Sequence, residues 1–128
     1  MTDTYKPQKH ISLLAKDMLD FLIAENAYID KPITIDNIAI YFAGTSRRDI
    51  EMASEELRAA GIPLCSSVSK PMGLYLARSY TDALPWVIQI SNRMQKMAVH
   101  RAQAIKTLKA LADRDGIQIE MESILRNS

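Results

Sequence analysis

Residues 35–62 read IDNIAIYFAGTSRRDIEMASEELRAAGI, and their pattern gives the strongest indication of the fold. Apolar residues recur at helical spacing on both sides of Ala43-Gly44-Thr45, which predicts two helices joined by a turn. Ser46 followed by Asp49 resembles a capping box, so the second helix is expected to begin there and to end at Gly61. The apolar residues of this second helix share one face: Ile50, Ala53, Leu57 and Ala60.

The residues before this stretch predict an arm, one longer helix and a short strand. Residues 1–9 contain Pro7 and few apolar side chains, so they are expected to form a loose arm. From His10 to about Asn26 the apolar residues have helical spacing, at Ile11, Leu14, Met18, Phe21 and Leu22. The β-branched run Ile33-Thr34-Ile35 predicts a short strand, and Asp36 is expected to cap the next helix.

The residues after this stretch predict a β-hairpin. Residues 62–67 are typical of a strand with a proline near its start, and residues 68–72 of a loop. Residues 73–77 are expected to form the returning strand. The predicted order of elements is therefore helix, short strand, helix, helix and hairpin.

The last third of the chain predicts one long helix with an apolar seam. Between Thr81 and Arg114 the only helix breaker is Pro85, near the first turn, where a missing N–H is tolerated. A stripe of this length has to be buried, so we expect the helix to pair two copies of the chain. The alternative is that the helix folds back on its own domain. The seam residues alternate by three and four: Val87, Ile90, Met94, Met97, Arg101, Ala104, Leu108 and Leu111.

Two further features of this segment are the polar seam residue Arg101, which has two interpretations, and the residues after Gly116. Arg101 either fixes the register of the pair or marks a shift of the seam to Ala98, Ala102 and Ile105. After Gly116, a short amphipathic tail is expected from Ile117, Met121, Ile124 and Leu125.

Residues 10–78 resemble the winged helix-turn-helix superfamily, and within it the group that includes the DNA-binding domain of the biotin-operon repressor. The matching residues are the small Ala39, the turn glycine Gly44, the Ser46-Arg47 pair and the docking residue Ile50. A Leu-Arg-x-x-Gly-Ile ending at 57–62 and Gly73-Leu74-Tyr75 in the returning strand extend the match.

The resemblance implies a mainly α fold with a small β-hairpin wing, to which the long C-terminal dimerisation helix is added. Residues 1–79 are then the winged helix-turn-helix DNA-binding domain, and residues 80–128 are the dimerisation segment. The ligand-binding and catalytic domains of that group have no counterpart in this sequence, so none of their chemistry is implied.

The resemblance also implies that the second helix of the pair enters the major groove, with its first residues nearest the bases. Glu51 and Glu55 repel phosphate, so we expect ion pairs with arginines one turn away; the alternative is that they accept from cytosine. Lys70 at the wing tip contacts phosphate or is a solvated loop lysine. The candidate DNA contacts are Ser46, Arg47, Arg48, Glu51, Ser54, Arg58, Lys70 and Arg78.

The composition argues against several other classes of protein. With 16 basic and 15 acidic residues the net charge is +1, so a DNA-binding surface has to come from local clustering. The single cysteine, Cys65, excludes an intramolecular disulfide and favours the cytoplasm, and neither a membrane span nor a signal peptide is evident. Because His10, His100 and Cys65 lack zinc-ligand spacing and no nucleophile motif is present, we expect no enzyme activity, metal, cofactor or small-molecule ligand.

The sequence therefore predicts a cytoplasmic homodimer that binds specific sequences in duplex DNA. A transcriptional regulator or a replication or partition accessory factor fits this prediction, and the compact wing suggests a phage or mobile-element origin. The alternative is a winged-helix protein-interaction module that does not bind DNA, which the near-neutral charge and the two glutamates favour.

Overall fold

The computed structural model describes residues 2–116, and over this range the protein is mainly helical. A 3-10 helix at Thr2–Tyr5 precedes three helices: α1 (Leu13–Ala24), α2 (Ile35–Tyr41) and α3 (Arg47–Ala59). Strands β1 (Leu64–Ser66) and β2 (Leu74–Leu76) form an antiparallel hairpin, and α4 (Tyr80–Asp115) follows. The helical class, the hairpin and the long C-terminal helix are thus confirmed, whereas the expected tail after Gly116 lies outside the described residues.

The apolar face of α3 is the centre of the core. Its four predicted residues, at positions 50, 53, 57 and 60, are all buried. Those at 50, 53 and 57 share one core cluster with Met18 and Leu22 of α1 and with Leu64 and Leu76 of the hairpin. Burying a leucine or isoleucine side chain contributes about 1.5–3 kcal/mol, so this face fixes α3 on the rest of the domain.

The capping box at the start of α3 is complete. The Ser46 hydroxyl accepts a hydrogen bond from the Asp49 N–H at 3.1 Å, and the Asp49 carboxylate accepts one from the Ser46 N–H at 2.8 Å. Hydrogen bonding from Ser46, chiefly from its backbone N–H, lowers the pKa of the Asp49 carboxyl. The predicted start of α3 is therefore confirmed, with Arg47 as its first helical residue.

The cap of α2 differs from the prediction. Thr34, in an extended conformation, accepts the Asn37 N–H at 3.1 Å, while Asp36 lies inside the first turn. The expectation that Asp36 is the cap was wrong, because the helix begins at Ile35 and leaves the capping position to Thr34. Ile33, just before it, pairs with Leu74 through two backbone hydrogen bonds of 2.8 and 2.9 Å and forms an isolated bridge rather than a strand.

The segment before α1 is docked on the domain, so the expectation of a loose arm was wrong. The Tyr5 hydroxyl donates to the carbonyl of Ala77 at 3.1 Å, and the Gln8 N–H donates to the carbonyl of Ala60 at 2.8 Å. Burial of the Tyr5 ring against the core raises the pKa of its hydroxyl. These contacts are made with distant parts of the chain, so the low apolar content of residues 1–9 did not indicate them.

Two glycines allow close backbone turns around the hairpin. Gly61 has φ +89° and ends α3, as its position predicts. Gly73 has φ +142°, and a Cβ atom there would lie 2.6 Å from the carbonyl carbon of Ile33. A side chain at position 73 would therefore push apart the bridge between Ile33 and the hairpin.

The chain divides into two compact units, Met1–Gln89 and Ile90–Ser128. The start of α4 belongs to the first unit, because the Tyr75 hydroxyl donates to the carbonyl of Asp82 at 2.6 Å and Trp86 packs beside it. The sequence-based boundary between residues 79 and 80 separates side chains that pack together. Within residues 2–116 no helix, α4 included, is apolar enough over its length to cross a membrane.

Candidate nucleic-acid interface

Arg47 is tied into a network of carboxylates at the start of α3. Its guanidinium lies 2.8 Å from the carboxylate of Asp36 and 3.2 Å from that of Glu51. The hydrogen bond and charge of Asp36, with a smaller contribution from Glu51, raise the pKa of Arg47. Glu51 is thus the ion-pair partner that its spacing predicts. Two carboxylates around one arginine leave this spot without excess positive charge.

Arg48 and Lys70 are placed differently from Arg47. Both side chains are exposed, and neither forms an ion pair with another residue between positions 2 and 116. Arg48 lies in the first turn of α3, and Lys70 lies in the loop between β1 and β2. These two cations are therefore available to an anion outside the chain. Ser46 is exposed beside Arg48, although its hydroxyl already serves the capping box.

Ser54 does not face solvent, contrary to its assignment as a DNA contact. Its side chain is 3% exposed, and its hydroxyl donates to the carbonyl of Ile50 at 2.8 Å. A serine bonded to the carbonyl four residues earlier needs no outside partner. Because α3 packs against both α1 and α2, its buried arc is wider than the stripe that the sequence pattern indicates.

Arg58 connects α3 to the hairpin and to the start of α4 within the first unit. Its Nε–H donates to the carbonyl of Leu64 at 2.8 Å, and its guanidinium lies 4.7 Å from the ring centroid of Trp86. Burial lowers the pKa of Arg58, and the carbonyl and the ring compensate the charge. The guanidinium of Arg58 is thus engaged within the domain, unlike that of an exposed, unpaired arginine. Its partners come from β1 and α4, which helical spacing cannot reveal.

Arg78 has a similar structural position at the end of the hairpin. Its guanidinium lies 4.4 Å from the ring centroid of Tyr28 and within 4 Å of the carboxylates of Asp30 and Asp82. The side chain is half exposed, so these pairs are weak one by one. Together these three contacts hold the Arg78 side chain against other residues of the first unit.

The thiol of Cys65 packs in the interior of the first unit. Cys65 is buried, as expected of a small apolar residue, and burial raises the pKa of its thiol. In residues 2–116 no three His, Cys, Asp or Glu side chains come together in a way that could hold a metal ion.

Sequence reasoning missed a recess between α1 and α2. It has a volume of about 500 Å³ and is lined by the rings of Phe21, Tyr41 and Phe42. The centroids of Phe21 and Tyr41 lie 4.2 Å apart, and those of Tyr41 and Phe42 lie 4.9 Å apart. Three carboxylates surround the rings: Asp17, Asp20 and Glu25. Acidic residues one turn apart on α1 were the available signal, but the rings come from two helices.

The predicted seam on α4 is exposed in the single chain. In the second unit Met94 and Met97 are 67% and 65% exposed, and Leu108 and Leu111 are more than 40% exposed. Val87 in the first unit is half exposed, Ile90 is half-buried, and Arg101 and Ala104 are exposed. The alternative seam residues Ala98 and Ala102 are exposed as well, whereas Ile105 is half-buried.

Comparison with protein-family models, with curated proteins and with solved structures finds no match to this chain.

Proposed function

We propose that this protein is a winged helix-turn-helix protein that binds duplex DNA, with α3 as the recognition helix and the hairpin as the wing. The supporting observation is the start of α3: a complete capping box fixes it, and the exposed Arg48 stands there without an ion pair among the described residues. An α-helix fits the major groove with its first residues nearest the bases, and N-terminal N–H groups favour phosphate.

The wing contributes the second contact of this proposal. Lys70 lies in the exposed loop of the hairpin, and a lysine there suits a phosphate contact without base selectivity. Ser46 and Arg48 are then the candidates for reading base edges, and Arg47 and Glu51 orient the start of the helix. Ser54, Arg58 and Arg78 are not part of the proposed interface, because their side chains are engaged within the domain.

Dimerisation through α4 completes the proposal. A single small module holds DNA weakly, while two linked modules bind with a much higher effective affinity. The exposed methionines and leucines of the seam supply an apolar surface that a second copy can cover. Such a homodimer acts in the cytoplasm as a transcriptional regulator or as a replication or partition accessory factor, reading a specific site.

Salt-dependent titration of random-sequence duplex DNA tests this function. Arg48→Ala and Lys70→Ala should each weaken binding and reduce the slope of log affinity against log salt by about one unit per contact. Lys16→Ala, which removes the same charge from an exposed position on α1, is the matched control and should leave binding unchanged. Equal effects of all three substitutions would contradict the proposed interface.

A second candidate function is a winged-helix protein-interaction module that does not bind DNA. The neutralised Arg47 favours it, and so does the aromatic recess with its acidic rim, which suits a cationic side chain of a protein partner. The same titration distinguishes the two functions. Failure of the folded protein to bind duplex DNA at low salt would favour the interaction module.

A further inference from the structure

Helix α4 carries a long stretch without carboxylates. Between Asp82 and Asp113 the sequence contains no aspartate or glutamate. The same interval contains five cations: Arg93, Lys96, Arg101, Lys106 and Lys109. All five are exposed, and none forms an ion pair with another residue in the range 2–116. The near-neutral charge of the whole chain therefore conceals a positive stretch within α4.

Two of these five cations, Arg93 and Lys96, lie along one side of the helix together with His100. At about 100° per residue, Arg93, Lys96 and His100 fall within about 60° of one another on the helix surface. We call these three residues the basic row. Gln103 and Thr107 continue the same side, and the Thr107 hydroxyl bonds to the carbonyl of Gln103. This side of α4 is polar, positive and free of competing carboxylates.

Pairing of the seam would leave the basic row without a protein partner. In the heptad defined by the seam, Arg93 and His100 stand at g positions, where dimeric helices commonly form salt bridges to e positions of the partner. The corresponding e positions here are Ser91, Ala98, Ile105 and Ala112, which carry no carboxylate. A second copy therefore offers no counter-ion along this edge, and the positive charge stays available to an outside anion.

We infer that the basic row is a second surface for the phosphate backbone of duplex DNA, separate from α3 and the wing. Two exposed cations on one side of a helix suit neighbouring phosphates of a nucleic-acid backbone, and each neutralised phosphate releases a counterion. The row strengthens binding to every sequence alike. This inference rests on the proposed function, since it names the same partner for another part of the chain.

The test compares two charge-neutralising double variants of the full-length protein. Arg93→Gln with Lys96→Gln removes the row, and Lys106→Gln with Lys109→Gln removes the same charge from another side of the same helix. Salt-dependent titration with random-sequence duplex DNA gives the slope of log affinity for each. The row variant should reduce the magnitude of the slope by about two units per subunit in contact. The control variant should leave the slope unchanged. Thermal melting of both variants should match the wild type, because all four side chains are exposed.

Each other outcome overturns the inference. An equal fall in slope for both variants would mean diffuse attraction by the whole helix, and no fall would mean that DNA does not contact the row. A row variant that changes the sedimentation coefficient but not the slope would place the row against protein. If Arg48→Ala loses binding while the row variant keeps the wild-type slope, this inference alone is refuted. If the wild-type protein does not bind duplex DNA, the proposed function is refuted as well.

Discussion

At the scale of single residues, Arg58 and Arg48 show how two arginines on one helix differ in role. The guanidinium of Arg58 is held between the carbonyl of Leu64 and the ring of Trp86, while that of Arg48 is exposed to solvent. Both positions lie off the apolar stripe, so the sequence pattern treats them alike. The distinction depends on what the hairpin and α4 place beside Arg58, which is tertiary information.

Arg58→Gln should therefore destabilise the domain without changing DNA affinity at fixed salt. Losing the hydrogen bond from a charged donor to the Leu64 carbonyl costs about 1.5–3 kcal/mol. Chemical denaturation followed by Trp86 fluorescence measures the change in the free energy of unfolding. Arg48→Gln is the matched control and should show the opposite pattern, with unchanged stability and weaker binding. Reversal of the two patterns would contradict the roles assigned to both residues.

Ionisation of the Tyr75 hydroxyl should make the free energy of unfolding depend on pH in the alkaline range. Burial, with smaller contributions from Cys65 and Asp82, raises the pKa of Tyr75 from 10 to about 12. A group whose pKa is higher in the folded state stabilises the fold fully below pH 10, and this contribution is lost as pH rises through 12. Stability of the wild type should therefore fall over that interval.

Tyr75→Phe should reduce that alkaline loss and cost about 0.5–1.5 kcal/mol at neutral pH, because the hydrogen bond to the Asp82 carbonyl disappears. Tyr80→Phe removes the hydroxyl of an exposed tyrosine and should change neither quantity. Unfolding curves in urea at several pH values measure both. Parallel curves for the Tyr75→Phe protein and the wild type would contradict this assignment.

At the scale of elements, local sequence chemistry predicted most of α3. The capping box at Ser46, the end at Gly61 and the apolar face depend on residues within one or two turns, so the sequence alone was sufficient. The docked Tyr5 and the buried Ser54 were not predictable, since each depends on a partner or a packing surface that the local pattern does not contain. The same limit applies to the candidate site. The exposure of Arg48 and Lys70 could be predicted from their positions in the sequence. The ion pairs of Arg47 could not, because one of them is formed with Asp36 of another helix.

The start of α2 offers a test at this scale. Thr34→Ala removes the capping hydroxyl and should lower the free energy of unfolding by about 1 kcal/mol. Asp36→Ala keeps the Thr34 cap and should cost less, although it removes the ion pair with Arg47. Thermal or urea denaturation compares the two variants. A larger loss for Asp36→Ala would restore Asp36 as the capping residue.

At the scale of the whole molecule, the exposed seam of α4 predicts a dimer. Met94→Lys and Leu108→Lys each place a charge in the proposed contact, so each should weaken association by about 2–4 kcal/mol per chain. Val99→Lys is the matched control, because Val99 is also exposed on α4 but lies away from the seam. Analytical ultracentrifugation over a concentration series measures the association constant. Dimers unaffected by both seam substitutions, or a wild type that stays monomeric, would contradict the seam.

Titration of the wild-type protein with random-sequence duplex DNA across a range of salt concentrations tests the central claim most directly. On random-sequence duplex Arg48 has no specific base to read and is expected to pair with phosphate, as Lys70 does. Two subunits then give four phosphate contacts and a slope of log affinity against log salt near −4, at about 0.9 per contact. Arg93 and Lys96 double the number of contacts, and the expected slope is therefore about −7. Failure of the folded protein to bind the duplex at low salt would show that it does not function through DNA binding.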